Sequence, residues 1–256
     1  MKAMIFAAGL GSRLQPLTDD RPKALVEING RTMLEMAISR LRAFEVSDVI
    51  INVFHFADMI EEYLAINNNF GLRIEISREE ALLDTGGGLK KAAHFFLMNP
   101  GNDSANEAGD KDEPFIVHNV DVLSAIDLRR MVEFHKDNQA LATLAVQDRN
   151  TSRYLLFDHQ LQLCGRRSAG DPTESVGRSQ PTLALAFAGI HVISPRLFSL
   201  MTEDGAFSIV ASYLRLAAQG ERILAFRADK YYWRDLGKPE NIKQAAQDLK
   251  QKLISQ

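Results

Sequence analysis

The 256-residue chain has one cysteine, Cys164, and one tryptophan. A single thiol cannot close an internal disulfide, so the sequence fits a reducing compartment and the cytoplasm is the expected location. No apolar run approaches the roughly 20 residues of a membrane span, and Lys2 leads into a strand instead of a secretory signal layout. The chain also lacks an excess of positive charge, with a net charge of −3. A nucleic-acid partner would normally require a basic face, so neither nucleic acid nor membrane is expected. The six histidines (His55, His94, His118, His135, His159 and His191) show no metal-ligand spacing and read as structural or surface groups. There is no internal repeat, and no stretch rich enough in Pro, Gly or Ser to serve as a linker. What remains, 46% hydrophobic and 25% charged, is the composition of an ordinary globular protein.

Apolar patterning alternates through the first half. Residues 4–8 form a near-continuous apolar strand, as expected where both faces of a parallel sheet are covered. Helical spacing predicts helices over 33–44, 57–66 and 89–98, and strands over 49–53, 72–76 and 114–117. Such alternation predicts an α/β fold: a Rossmann-like, mixed but mostly parallel sheet with helices on both faces and ligands at the carboxyl ends of the strands. Beyond Asp121 the rhythm changes. A strand at 140–146, a hairpin over 154–163, a strand at 183–193, a helix at 209–218, a strand at 223–226 and a helix over 239–254 are predicted. Cys164 falls in the hairpin's alternating pattern and reads as structural. The polar stretches 99–113 and 166–180 read as a surface insertion and a mobile loop.

The most informative segment begins where the first strand ends: Ala7-Ala8-Gly9-Leu10-Gly11-Ser12-Arg13-Leu14, then Pro16-Leu17-Thr18 and Pro22-Lys23-Ala24-Leu25. Gly9 and Gly11 allow close backbone approach and φ values that a Cβ would oppose. Successive N–H groups in such a turn form a concavity suited to phosphate oxygens. Arg13 and Lys23 then supply positive charge to a polyphosphate. A Walker loop is excluded, because no Gly-x-x-x-x-Gly-Lys-Ser or -Thr string follows a strand. A dinucleotide fingerprint is disfavoured by Leu14, which stands where the third glycine belongs. Glu27 lies near the spacing of that motif's acidic residue, but it precedes Asn29-Gly30 and ends no second strand.

These residues resemble the signature of the sugar-1-phosphate nucleotidyltransferases, Ala-Ala-Gly-x-Gly-x-Arg-x-x-Pro-Leu-Thr followed by Pro-Lys-x-Leu. Three further segments match in order: Asp84-Thr85-Gly86-Gly87-Gly88, Asn119-Val120-Asp121, and Trp233-Arg234-Asp235-Leu236-Gly237-Lys238-Pro239-Glu240. The resemblance covers essentially the whole chain. It implies one nucleotidyltransferase domain over 1–256, with a nucleotide-binding half at about 1–121 and a sugar-binding half at about 122–256. The implied partners are a nucleoside triphosphate and a sugar 1-phosphate, and the implied cofactor is Mg²⁺ on Asp121 and Asp235. Mg²⁺ commonly takes one or two protein carboxylates and fills its other sites with water and phosphate. The nucleotide would lie on Ala8, Gly9, Gly11, Ser12, Arg13, Thr85, Gly86 and Gly87. The sugar would lie near Asn119, Gly189 and Glu174. The catalytic group would be Arg13, Lys23, Asp121 and Asp235. The Thr-Gly-Gly-Gly string and the short length imply UTP and N-acetylmuramate 1-phosphate as substrates. Guanylyl transfer to mannose 1-phosphate, thymidylyl or uridylyl transfer to glucose 1-phosphate, and a silent nucleotide-sensing subunit are the alternatives. Intact Arg13, Lys23, Asp121 and Asp235 argue against silence, and a monomer or small homo-oligomer is expected.

The implied chemistry needs no general base, since the attacking phosphate monoester is already largely dianionic near neutrality, with a second pKa of about 6. Two departures from the family pattern stand out. Val120 replaces the glycine common between the asparagine and aspartate, and the Glu-Lys-Pro string whose lysine holds the sugar phosphate in many relatives is missing. Arg166, Arg167 and Arg178 are the cations available to substitute.

Overall fold

The computed structural model describes residues 1–98, 113–170, 172–176 and 182–251. β1 (Lys2–Phe6) leads through two 3₁₀ turns, Ser12–Leu14 and Lys23–Leu25, to a small hairpin of β2 (Glu27–Ile28) and β3 (Arg31–Thr32). Next come α1 (Met33–Ala43), β4 (Asp48–Val53), α2 (Ala57–Ile66), a third 3₁₀ turn at Asn68–Gly71, and β5 (Arg73–Arg78). α3 (Asp84–Lys91), α4 (Ala93–Leu97), β6 (Phe115–Asn119), β7 (Val122–Ser124) and α5 (Leu128–Asp137) follow. β8 (Ala142–Gln147), β9 (Arg153–Phe157), β10 (Leu163–Ser168), β11 (Glu174–Ser175) and β12 (Leu183–Ile193) form the next run. The chain then passes through α6 (Leu197–Leu200), α7 (Ile209–Ala218), β13 (Ile223–Arg227), β14 (Trp233–Asp235) and α8 (Pro239–Lys250). The class is α/β with a mixed sheet, as the apolar alternation requires. Among the described residues, no helix is long and apolar enough to cross a membrane.

The chain forms two compact units that are interleaved in sequence. The first comprises Met1–Leu82, Val117–Leu128 and Lys230–Gln256; the second comprises Leu83–Ile116 and Arg129–Asp229. In the first unit β1 pairs in parallel with β4, and β4 in parallel with β5. Ala3, Met4 and Ile5 of β1 and Val49, Ile50 and Ile51 of β4 are completely buried. α1 buries Met33, Leu34, Ala37, Ile38 and Leu41 along one stripe, each large apolar side chain contributing roughly 1.5–3 kcal/mol. The helix starts where it does because the Thr32 hydroxyl accepts the Glu35 N–H at 3.0 Å, which satisfies a donor the first turn leaves open.

The second unit is built mainly of antiparallel pairs: β8 with β12, β9 with β10 and β12, and β10 with β11. β13 adds in parallel to β8. Its aromatic core stacks Phe96 on Phe115 with ring centres 3.8 Å apart, and Phe115 on Phe198 at 5.6 Å.

Several sequence expectations are corrected. The helix expected over 89–98 begins at Asp84 and breaks at Ala92, so Thr85 and the three glycines lie inside α3, not in a loop before it. β6 runs to Asn119, so Asp121 follows it by only two residues. Arg166 and Arg167 sit on β10, and Glu174 on β11; that stretch is therefore partly a strand pair. Arg178 and residues 99–112 lie outside the described residues, and α8 is described only as far as Lys250.

Candidate active site

In the first unit β1 hands the chain to the glycine loop through a buried polar anchor. The Asn52 side chain accepts the Ala7 N–H at 2.9 Å and donates to Glu79 Oε1 at 2.7 Å. Both side chains are almost fully buried, so the point where backbone leaves the sheet is fixed. Sequence reasoning missed this pair. Its one signal is the polar residue interrupting the apolar run Val49-Ile50-Ile51-Asn52-Val53.

Beyond the anchor Ala8 is buried, whereas Gly9, Ser12 and Arg13 are exposed. Gly11 has φ +69° and opens the Ser12–Leu14 turn, a left-handed conformation natural to glycine. The Thr18 hydroxyl donates to the Gly11 carbonyl at 3.0 Å. A Cβ on Gly11 would lie 3.0 Å from Thr18 Cγ2 and 3.1 Å from Lys23 Cβ, whereas one on Gly9 would meet nothing within 4 Å. Gly9 also has no positive φ among the described residues. The expectation that both glycines need special backbone geometry therefore holds for Gly11 and fails for Gly9.

Pro22, in extended conformation, precedes the turn that begins at Lys23. The Lys23 ammonium forms an ion pair with Asp121 Oδ2. β7 pairs antiparallel with β14 so that Asp235 lies opposite Val122, and the Leu236 N–H donates to the Asp121 carbonyl at 2.8 Å. Asp235 thus ends this short ladder, and Asp121 lies just outside it, joined through the Leu236 N–H. Asp235 Oδ1 accepts the Gly237 N–H at 2.6 Å. A Cβ on Gly237 would lie 2.8 Å from both Arg13 Nη2 and Asp235 Oδ1, so this glycine leaves room for the guanidinium beside the carboxylate. Arg13, Lys23, Asp121 and Asp235 are therefore brought together, two cations facing two carboxylates.

The donor set suits a hard divalent cation. Half-buried Asp235 at the end of the ladder and half-buried Asp121 just before it offer oxygen ligands, the type that Mg²⁺ takes alongside phosphate oxygens. Among the described residues no cluster of three or more His, Cys, Asp and Glu side chains forms a closed metal cage.

Asn119 lies two residues before Asp121. Its Oδ1 is buried without a hydrogen-bond partner among the described residues. The neighbouring His118 is buried, and its Nδ1 lies 2.8 Å from the Asn119 carbonyl. Burial pushes this imidazole down to about 4, so it is neutral near pH 7 and carries no charge to the site.

The remaining sequence candidates belong to the second unit. Gly86, Gly87 and Gly88 are buried. A Cβ on Gly86 would lie 2.3 Å from the Phe207 ring, and one on Gly87 would lie 2.3 Å from the Gly205 carbonyl oxygen. The Gly86 N–H donates to the Phe207 carbonyl at 2.8 Å, and Thr85 Oγ1 accepts the Ile209 N–H at 3.0 Å. Close helix packing thus accounts for these glycines without a ligand. Gly189 has φ +73° and lies where the β12–β8 register shifts between Phe187 and His191, so the strand irregularity itself calls for glycine. Glu174 is exposed and takes Arg166 Nε at 2.5 Å. The Arg167 guanidinium lies 5.2 Å from the centre of the Tyr154 ring.

The profile of the family described as nucleotidyl transferase matches residues 2–162. N-acetylmuramate alpha-1-phosphate uridylyltransferase of Caulobacter vibrioides is 32% identical over 93% of this chain and 92% of its own length. Mannose-1-phosphate guanyltransferase of Yarrowia lipolytica is 30% identical over 94% of this chain but only 62% of its own length. Among solved structures, HddC from Yersinia pseudotuberculosis complexed with GMP-PN superposes with a TM-score of 0.74 at 22% identity, covering 97% of this chain and 99% of that one. UDP-glucose pyrophosphorylase complexed with UDP-glucose gives a TM-score of 0.76 at 17% identity, covering 98% of both chains; these two likenesses concern the fold. Matched across most of its length and carrying the glycine loop, the lysine turn and the two aspartates, the chain belongs to the nucleotidyl transferase family, as a sugar-1-phosphate nucleotidyltransferase.

Proposed function

We propose that the protein transfers the uridylyl group of UTP to N-acetylmuramate 1-phosphate, with Mg²⁺, releasing pyrophosphate. The observation that carries this reading is the gathering of Arg13, Lys23, Asp121 and Asp235 around one short ladder beside the glycine loop. Joining two polyanions requires fixed positive charge and an oxygen-ligated cation at the same place, and these residues supply both.

In the reaction a phosphate oxygen of the sugar 1-phosphate attacks the α-phosphorus in line. A new P–O bond forms, and the bond to the β-phosphate breaks with its electron pair leaving on pyrophosphate. Amides of the glycine loop hold the triphosphate. Exposed Arg13 grips the departing phosphates through its planar fork, and Lys23 turns from Asp121 toward the reacting phosphate. Asp121 and Asp235 would hold Mg²⁺, which when bound would supply neutralisation of phosphate oxygen charge. No side chain needs to remove a proton, and neutral, buried His118 is not asked to. We assign a sugar hydroxyl to the unpaired Asn119 Oδ1, because a buried acceptor without a donor is costly unless substrate satisfies it. Thr85, Gly86 and Gly87 remain candidates for the base and ribose, and Gly189 and Glu174 for the sugar. A cytoplasmic location accords with the lone, buried Cys164.

The substrate choice is supported by the Caulobacter relative, which matches nearly end to end. Guanylyl transfer to mannose 1-phosphate is the second reading, favoured by the Yarrowia relative. The test is pyrophosphate release across the four nucleoside triphosphates and a panel of sugar 1-phosphates. Turnover with GTP and mannose 1-phosphate but not with UTP and N-acetylmuramate 1-phosphate would select the second reading. Asp121→Asn and Asp235→Asn should each nearly abolish turnover in a folded protein. Their effects should be strongly non-additive, as for groups acting on one centre.

A further inference from the structure

The ladder that carries Asp235, with Asp121 directly before its other strand, is only three residues long on each strand. A two-stranded ribbon of that size has little stability of its own. Its geometry must be imposed from outside, and α8 is the element that imposes it. On the strand, Arg234 immediately precedes Asp235. Its guanidinium reaches Asp248 of α8, with Nε 3.1 Å and Nη2 2.8 Å from Oδ2. The Tyr232 hydroxyl donates to the same oxygen at 2.6 Å and accepts Arg234 Nε at 3.0 Å. Gln244 Nε2 donates to the other oxygen at 2.9 Å. Asp248 is only 4% exposed, and these bonds, that of Tyr232 foremost, hold its carboxyl below the usual range. A second tether lies two turns earlier, where Asn241 Nδ2 donates to the Asp235 carbonyl at 2.7 Å. Two bonded links therefore join one helix to residues just before, and at, the Asp235 backbone.

We infer that the Asp248–Arg234–Tyr232 clamp, with Asn241, positions the Asp235 carboxylate and so sets the affinity of the site for its divalent cation. The inference rests on the metal role proposed for Asp121 and Asp235. Neither Asp248 nor Arg234 touches the reacting atoms; both are positioning residues. Outer partners of metal ligands commonly change affinity by about 10- to 100-fold when removed. Here the link passes through backbone as well as side chain, so the lower end of that range is expected.

The experiment titrates Mn²⁺ into wild-type and variant protein by EPR, alongside the Mg²⁺ dependence of turnover. Asp248→Asn should weaken Mn²⁺ binding about 10-fold while kcat at saturating Mg²⁺ stays within about twofold of wild type. Asn29→Ala is the control. Asn29 Nδ2 ties α8 to the β2–β3 hairpin through the Ala246 carbonyl at 2.8 Å without touching β14, so its loss should leave Mn²⁺ affinity unchanged. An Asp248→Asn protein that melts early yet binds Mn²⁺ like wild type overturns the inference, as does an equal loss in Asn29→Ala. If Asp248→Asn does not fold, Tyr232→Phe removes a single hydroxyl and should weaken Mn²⁺ binding about threefold; unchanged binding there also overturns the inference. Wild-type protein that binds no Mn²⁺ overturns the metal reading itself, a result distinct from either.

Discussion

The glycines at 9–11 and those at 86–88 look alike in sequence: small residues at an expected loop, next to a helix or turn. In the structure they serve different ends. Gly11 is a hinge of backbone conformation, with φ +69° and its carbonyl held by Thr18, in a loop whose neighbours Gly9, Ser12 and Arg13 face solvent. Gly86 and Gly87 have ordinary helical backbones and are buried, each leaving no space for a methyl group against Phe207 or Gly205. One set shapes an exposed loop, to which we have assigned the triphosphate, and the other makes room for a neighbouring segment of the same unit. Glycine content alone therefore does not mark a binding loop; the exposure of the surrounding backbone does.

The largest expected effect tests the buried side of this contrast. Gly87→Ala drives a Cβ against a backbone carbonyl 2.3 Å away, and should lower unfolding free energy by about 3 kcal/mol, measured by urea denaturation. Gly86→Ala meets chiefly the Phe207 ring, so Phe207→Ala should recover part of its loss. For Gly87→Ala, Phe207→Ala should recover nothing. Equal rescue of both would break the distinction between ring and backbone contact.

Next in size is the exposed loop. Gly11→Val should lose about 100-fold in kcat/KM through displaced phosphate-holding amides, against a stability cost of only about 1–2 kcal/mol for the left-handed residue. A Gly11→Val protein that melts early but turns over normally would place Gly11 with Gly86 and Gly87 as a packing glycine.

A smaller effect concerns the segment that packs on α3. Glu203 near its start is paired with Arg215 at 2.8 Å, and the hydrogen bond from Arg215 holds its carboxyl down at about 2 from an ordinary 4.5. A depressed carboxyl stabilises the fold fully above the unfolded value and loses that contribution as pH falls through the folded one. Stability should therefore decline between about pH 4.5 and pH 2, by on the order of 1 kcal/mol after allowance for solvent screening. Glu203→Gln should flatten that part of the acid unfolding curve. An unchanged curve would remove the ion pair from the support of α3. Smallest is Thr18→Val, which deletes the bond to the Gly11 carbonyl and should cost about 1 kcal/mol, with a rise in KM for the triphosphate larger than any fall in kcat.

Much of this was legible in the chain. The helix limits at 57–66 and 209–218 and the strand at 183–193 follow from apolar spacing, because periodicity reports which face is buried whatever the partner. The string from Ala7 to Leu25 pointed to phosphate binding because the residue types suffice for that chemistry. By contrast, the 84–91 helix was hidden, since three consecutive glycines oppose helix formation locally and only packing against residues 205–207 favours it. Asn52, Glu79, Arg234 and Asp248 were equally hidden. Such polar residues acquire meaning from partners 14 to 45 residues away.

The sequence by itself determined the fold class, because local periodicity reports burial, and through its motif strings the family, whose resemblance points to the four charged residues. Only the tertiary structure decided that the strand following Asp121 pairs with the strand ending at Asp235, that Lys23 neutralises one of these carboxylates, and that Arg13 lies against Gly237 beside the other. Those facts require strand pairing between segments more than a hundred residues apart. No local preference of the chain encodes that pairing; it arises when burial and hydrogen bonding of the whole unit are satisfied at once.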